Sequence, residues 1–115
     1  MMNGRDIKRR KSFLGVESEA KGEFITRGIF RVDGSLTGKV EADKVILGDT
    51  AFMRGDILAE CIIVEGKVEG NLRATRLLEI KAKGKVKGEI SAQKLLIEDG
   101  AELNGRVQMN AANEK

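Results

Sequence analysis

Val68-Glu69-Gly70-Asn71-Leu72 is the stretch that decides how this chain folds: apolar, polar, glycine, polar, apolar. The same word recurs around Gly22, Gly38, Gly55, Gly70, Gly88 and Gly105. Ala20, Leu36, Met53, Val68, Val86 and Leu103 stand two places before the glycine, and Phe24, Val40, Ile57, Leu72, Ile90 and Val107 two places after it. Every immediate neighbour of the glycine is polar, from Lys21 and Glu23 to Asn104 and Arg106. Strict alternation of this kind is strand periodicity with one buried face. The steps between glycines are 16, 17, 15, 18 and 17 residues. A self-similar period of that size means a solenoid, in which no repeat buries its apolar face without neighbours. It is too short for a helical hairpin repeat of about 33 residues and suits one turn of a β-helix built from three short strands.

A second apolar pair sits inside each turn: Phe30/Val32, Val45/Leu47, Ile62/Val64, Leu78/Ile80 and Leu95/Ile97. From this pair to the next glycine word the gap is four residues after Val32 and Val64, but six after Leu47, Ile80 and Ile97. Length variation therefore falls at corners, which tolerate it, and spares the stacked strands, which do not. Asp33-Gly34, Gly48-Asp49 and Asp99-Gly100 mark those corners as turns. The small residues Ala42, Ala59, Ala74 and Ala92 suit a tight interior. The expectation is an all-β, single-domain, three-faced parallel β-helix of about six turns. Its bounds are residues 13–109, with a disordered basic tail at 1–12 and a polar tail at 110–115.

Composition narrows the function. The chain of 115 residues has no His, Pro, Trp or Tyr, one Cys, and a net charge of +3. Without histidine it lacks the commonest neutral-pH general base and the commonest metal ligand. Acyltransferases and zinc hydratases of similar repeat length depend on that residue, so the reading is of a non-enzyme with no metal, no cofactor and no small-molecule substrate. Carboxylates such as Glu65, Glu69 and Glu98 are scattered, and none is paired as acid and base. No apolar run approaches the roughly 20 residues that span a bilayer. A single thiol fits a reducing compartment.

Phe13-Leu14-Gly15, Gly22, Gly28, Val32-Asp33-Gly34-Ser35-Leu36-Thr37-Gly38, Ala42 and the Val45-Ile46-Leu47-Gly48 corner resemble the opening of a bactofilin domain. Leu95-Leu96-Ile97-Glu98-Asp99-Gly100-Ala101 and Asn104-Gly105 are similar to its final turns. The resemblance implies a right-handed β-helix that polymerises without nucleotide into non-polar filaments. It further implies a cytoplasmic cytoskeletal scaffold for bacterial cell shape or envelope organisation, at the cytoplasmic face of the inner membrane, with envelope or cell-wall enzymes as clients.

A solenoid end left uncapped is a template surface. The candidates for a polymer interface are Phe13, Leu14, Phe24 and Phe30 at one end and Leu103, Val107 and Met109 at the other. Met1, Met2, Arg5, Lys8, Arg9, Arg10 and Lys11 combine slight insertion with basic attraction, a weak signal for contact with an anionic membrane surface, and a solubilising charged tail is the alternative. Phe52 should face solvent, and Ile46, Ile63 and Leu96 stand between core residues on the outward side; these are candidate lateral contacts. Cys61 aligns with Lys44, Arg76 and Lys94 at a corner and is assigned no chemistry. Lys81, Lys83, Lys85 and Lys87 make a basic patch, which gives the alternative of a nucleic-acid-binding or adaptor solenoid. With almost no surface aromatics to stack on bases, nucleic acid is not the expected partner.

Overall fold

A computed structural model describes residues 10–15 and 19–109, and the side chains of these except in the first strand, 10–14. In it each glycine word is a strand or part of one. The elements are β1 (Arg10–Leu14), β2 (Glu19–Ile25), β3 (Gly28–Val32), β4 (Ser35–Glu41), β5 (Lys44–Leu47), β6 (Phe52–Val64), β7 (Lys67–Ile80), β8 (Lys85–Ile97) and β9 (Glu102–Met109). The described residues contain no helix. β1 begins at Arg10, inside the stretch expected to be tail.

Every ladder is parallel, and two stacks account for them. The glycine words stack as β2-β4-β6-β7-β8-β9, with Gly22, Gly38, Gly55, Gly70, Gly88 and Gly105 directly above one another. The apolar pairs stack as β1-β3-β5 and then the second halves of β6, β7 and β8. Six words in register make five steps, so the chain closes about five full turns of a parallel β-solenoid rather than six.

The register puts like on like. Leu36, Met53, Val68 and Val86 form one interior column and Val40, Ile57, Leu72 and Ile90 a second, all no more than 2% exposed. Val45, Ile62 and Leu78 continue into Leu95, and Leu47, Val64 and Ile80 into Ile97. The alanine column is buried as expected, from Ala42 at 8% to Ala74 and Ala92 at 0%.

The corners explain the two gap lengths. The six-residue gaps are closed by turns in which Ala51 N–H donates to Gly48 O (2.9 Å), Gly84 N–H to Lys81 O (2.8 Å) and Ala101 N–H to Glu98 O (3.1 Å). At the tight corner after Val32, the Arg31 guanidinium donates twice to the buried Asp33 carboxylate, at 2.9 and 3.2 Å. The Thr50 hydroxyl donates to Asp33 O at 2.6 Å from the next turn. A register shift between Ala74 and Leu77 absorbs one extra residue in β7. Because of it Cys61 stacks on Leu77, not on Arg76 as sequence spacing suggested.

The glycine column is where the polypeptide bends from one face to the next. Its members have φ between +129° and +140°, a region that side chains rarely adopt. A Cβ on Gly70 would also strike the carbonyl oxygen of Gly55, and the same holds down the stack. Gly22 alone has nothing within 4 Å, because no rung precedes it among the described residues.

Gly70→Ala therefore carries both strain and overlap and should destabilise the fold by about 3 kcal/mol or more. Gly22→Ala carries the strain alone and should cost about 1–2 kcal/mol. Urea unfolding followed by circular dichroism checks this: equal midpoints for the two variants would mean that close stacking of the glycines contributes nothing.

Candidate functional site

The candidate site lies where the columns stop. β9 pairs only with β8, while β2 pairs only with β4 and β1 only with β3. Each end therefore presents the backbone edge of a parallel sheet with no further strand among the described residues, a template for pairing.

Side chains follow the backbone. Val107 and Met109 lie directly on Ile90 and Ala92, and Ile97 on Ile80. The inner members are at most 2% exposed, whereas Val107 is 37%, Ile97 48% and Met109 51% exposed. Only the missing next rung distinguishes the two groups. Leu95 and Leu103, on the same end, are half-buried and packed on the core. Leu95 and Ile97 were read from sequence as ordinary core. The signal that they are terminal was present: no further apolar pair follows theirs, so the last copy of a stacking word lies at an end.

At the other end Phe24 is half-buried and Ile25 is 57% exposed. Phe30, grouped with the end residues by sequence, belongs to the core at 6% exposure. The reason is topological: β3 has β1 stacked beyond it, and the Phe24 ring lies against Phe30 with centroids 6.0 Å apart. Phe13 and Leu14 are on β1, which places their backbone on the outermost rung. Of the tail residues, Met1, Met2, Arg5, Lys8 and Arg9 lie outside the described residues, whereas Arg10 and Lys11 open β1.

The other candidates sort by environment. Phe52 is half-buried rather than open, with the Arg54 guanidinium 5.4 Å from its ring centroid. Ile46 and Ile63 are adjacent in one outward column and half-buried, and Leu96 ends that column at 43% exposure. The basic run does not act as one patch. Lys81 Nζ lies 3.0 Å from Glu79 and 3.5 Å from Glu98, and its hydrogen bond to Glu79 with both negative charges raises its pKa. Lys83 stands 3.8 Å from Asp49, leaving Lys85 and Lys87 as exposed outward cations on β8. No helix among the described residues is long and apolar enough to cross a membrane.

The class the fold defines is a parallel β-solenoid of stacked rungs, and the comparisons with known proteins agree with it. Residues 12–108 match the family model described as bactofilin, polymer-forming cytoskeletal. The chain belongs to the bactofilin family. It is 34% identical over 79 residues to bactofilin BacP and 30% identical over 80 residues to bactofilin BacO, both of Myxococcus xanthus. Each alignment takes in 69% of this chain but only 32% of BacP and 64% of BacO, so the chain spans less than two thirds of either relative. Its fold is similar to that in a cryo-EM reconstruction of Thermus thermophilus bactofilin double helical filaments. The TM-score is 0.79 at 25% identity, covering 86% of this chain and 99% of that one.

Proposed function

We propose that this chain assembles end to end, without nucleotide, into filaments that serve as a membrane-associated scaffold for cell shape or envelope organisation. The observation that carries the reading is the abrupt change along each core column, from at most 2% exposure at Ile90 and Ala92 to 37% and 51% at Val107 and Met109. A second molecule restores the missing rung. Burial of these apolar groups and pairing of the free sheet edges are driving forces that need no nucleotide. The non-polar arrangement implied by the family resemblance joins like ends to like. The Thermus relative's double helical filaments support filament formation, and with it the lateral pairing of two strands.

Val107→Arg tests the ends. Val107 is already partly exposed in the single molecule, so the fold accepts the change. A junction that buries the guanidinium without a partner loses about 3–5 kcal/mol, roughly a hundred- to several-thousand-fold in affinity. Filaments visible by negative stain should disappear while circular dichroism is unchanged. Light scattering should find dimers, joined through the intact opposite ends. Persisting filaments would remove the C-terminal end from the junction.

Membrane association would come from the tail. Each basic residue near an anionic surface contributes about 1 kcal/mol, and a filament repeats the tail many times over. Deleting residues 1–9 leaves β1 intact, since it starts at Arg10. The shortened chain should form filaments normally yet lose most co-sedimentation with vesicles rich in phosphatidylserine. Equal binding by the two chains would exclude the tail as the anchor.

A further inference from the structure

We infer that the outer face of the β3-β5 stack is the seam along which two filaments of this chain pair, with the molecules antiparallel and their six rungs in full overlap. The inference rests on the filament reading above and adds the surface, the orientation and the register.

The outward positions of this stack form two columns. One runs Ile29, Lys44, Cys61, Leu77, Lys94, and the other Arg31, Ile46, Ile63, Glu79, Leu96. Ile29, Ile46, Cys61, Ile63 and Leu77 are all half-buried, so they form a flat apolar surface on the side of the solenoid and not at its ends. The other faces differ. Lys21, Thr37, Arg54, Glu69, Lys87 and Asn104 make a wholly polar outward column. The face after the glycine carries a shallow groove of about 620 Å³ in which charged and polar residues such as Glu23, Lys39, Asp56 and Arg106 alternate with apolar ones.

The occupant is a second copy because the four middle rungs of the surface, β3 to β7, complement themselves. A two-fold axis perpendicular to the solenoid sets each column against its own reverse. With the axis midway along the stack, between the Ile46 and Ile63 rungs, Ile46 meets the second copy's Ile63 and Ile29 meets its Leu77. In the same register Arg31 meets Glu79 twice. Both are equipped for it. Arg31 spends Nε and one terminal nitrogen on Asp33 yet keeps its side chain 45% exposed, and guanidinium has five donors. Glu79 holds Lys81 through Oε2, which leaves Oε1.

The face is small. Six rungs at about 4.8 Å by four residues at about 3.3 Å give roughly 380 Å² per molecule, about half of what a stable isolated interface uses. Pairing therefore depends on many copies acting together along a filament. The end-to-end junction comes first and the seam follows.

Cys61, the one thiol of the chain, reports on the seam directly. Across sheets about 10 Å apart and one rung out of step, two facing Cys61 backbones lie about 11 Å from each other. Through end-to-end junctions the separation is at least five rungs, about 24 Å. A bis-maleimide of about 10 Å span should convert wild-type filaments into covalent dimers joined at Cys61. Ile63→Glu should abolish both pairing and adduct, leaving single filaments of about half the width by electron microscopy. The protomer tolerates a carboxylate there, since the next rung of that column already holds Glu79. Leu58→Glu, on the neighbouring face, should change neither. Val107→Arg should give neither filaments nor adduct. Wild-type filaments without the adduct, or Ile63→Glu filaments of unchanged width, overturn the seam and leave end-to-end assembly standing. A wild-type chain that forms no filaments and no adduct overturns both.

Discussion

Everything in this molecule depends on parallel rungs stacking residue for residue, glycine on glycine. That single constraint fixes the interior, because a side chain that packs on its own equivalent above and below sits in a repeating cavity of constant shape. Leu36, Met53, Val68 and Val86 differ in outline yet occupy one column with almost no exposure. The glycine column tightens the constraint. A backbone oxygen from the rung before lies where a Cβ would project, so neighbouring rungs hold each other at close approach and no other residue type fits.

The same constraint denies the protein a finished surface. In a globule the core closes on itself, whereas a solenoid core is a column that stays open at its first and last rungs unless something covers them. A 115-residue domain already buries a modest share of its surface, and here part of the potential core is left at the ends. In the end-to-end assembly proposed above, the interaction between two molecules would be of the same kind as that between two rungs: apolar side chains meeting in columns with a sheet edge beside them. Folding and the proposed assembly would draw on one set of forces, and filament formation would add stability to each protomer by mass action.

This is also why so much could be read without a structure. A period that keeps the glycine word at constant length and puts every insertion at a corner leaves little freedom for strand register, and the ladders between Gly38 and Gly105 follow it. What escaped the sequence depends on a shift of one rung or one residue. Phe30 looked terminal because it comes early in the chain, but β1 is laid beyond it. Ile97 looks interior because it matches Val64 and Ile80, yet nothing among the described residues stacks on it. Cys61 was set beside Arg76 because counting cannot place the extra residue that β7 accommodates before Leu77. Lys81 read as one of four outward lysines, and only the corner geometry brings Glu79 and Glu98 to it. Periodicity encodes the column a residue belongs to; its position within the column, and the partners reached across a corner, are set by where the stack begins and how the turns fold.

Ends and sides of the rod carry different kinds of information. Among the described residues the ends are apolar, continuous with the core and unpaired in backbone, so the end contact proposed above would be strong and indifferent to detail. The outer face of the β3-β5 stack mixes aliphatic residues with Arg31 at one level and Glu79 at another, a pattern that in the seam inferred above would select one orientation and one register. A weak, charge-registered surface is useless to a single molecule and decisive for a polymer, because a mismatch repeated at every subunit is multiplied as surely as a match. On the proposed assembly, the strength of the end contact would set whether a filament exists, and the pattern on its side would set what that filament lies against.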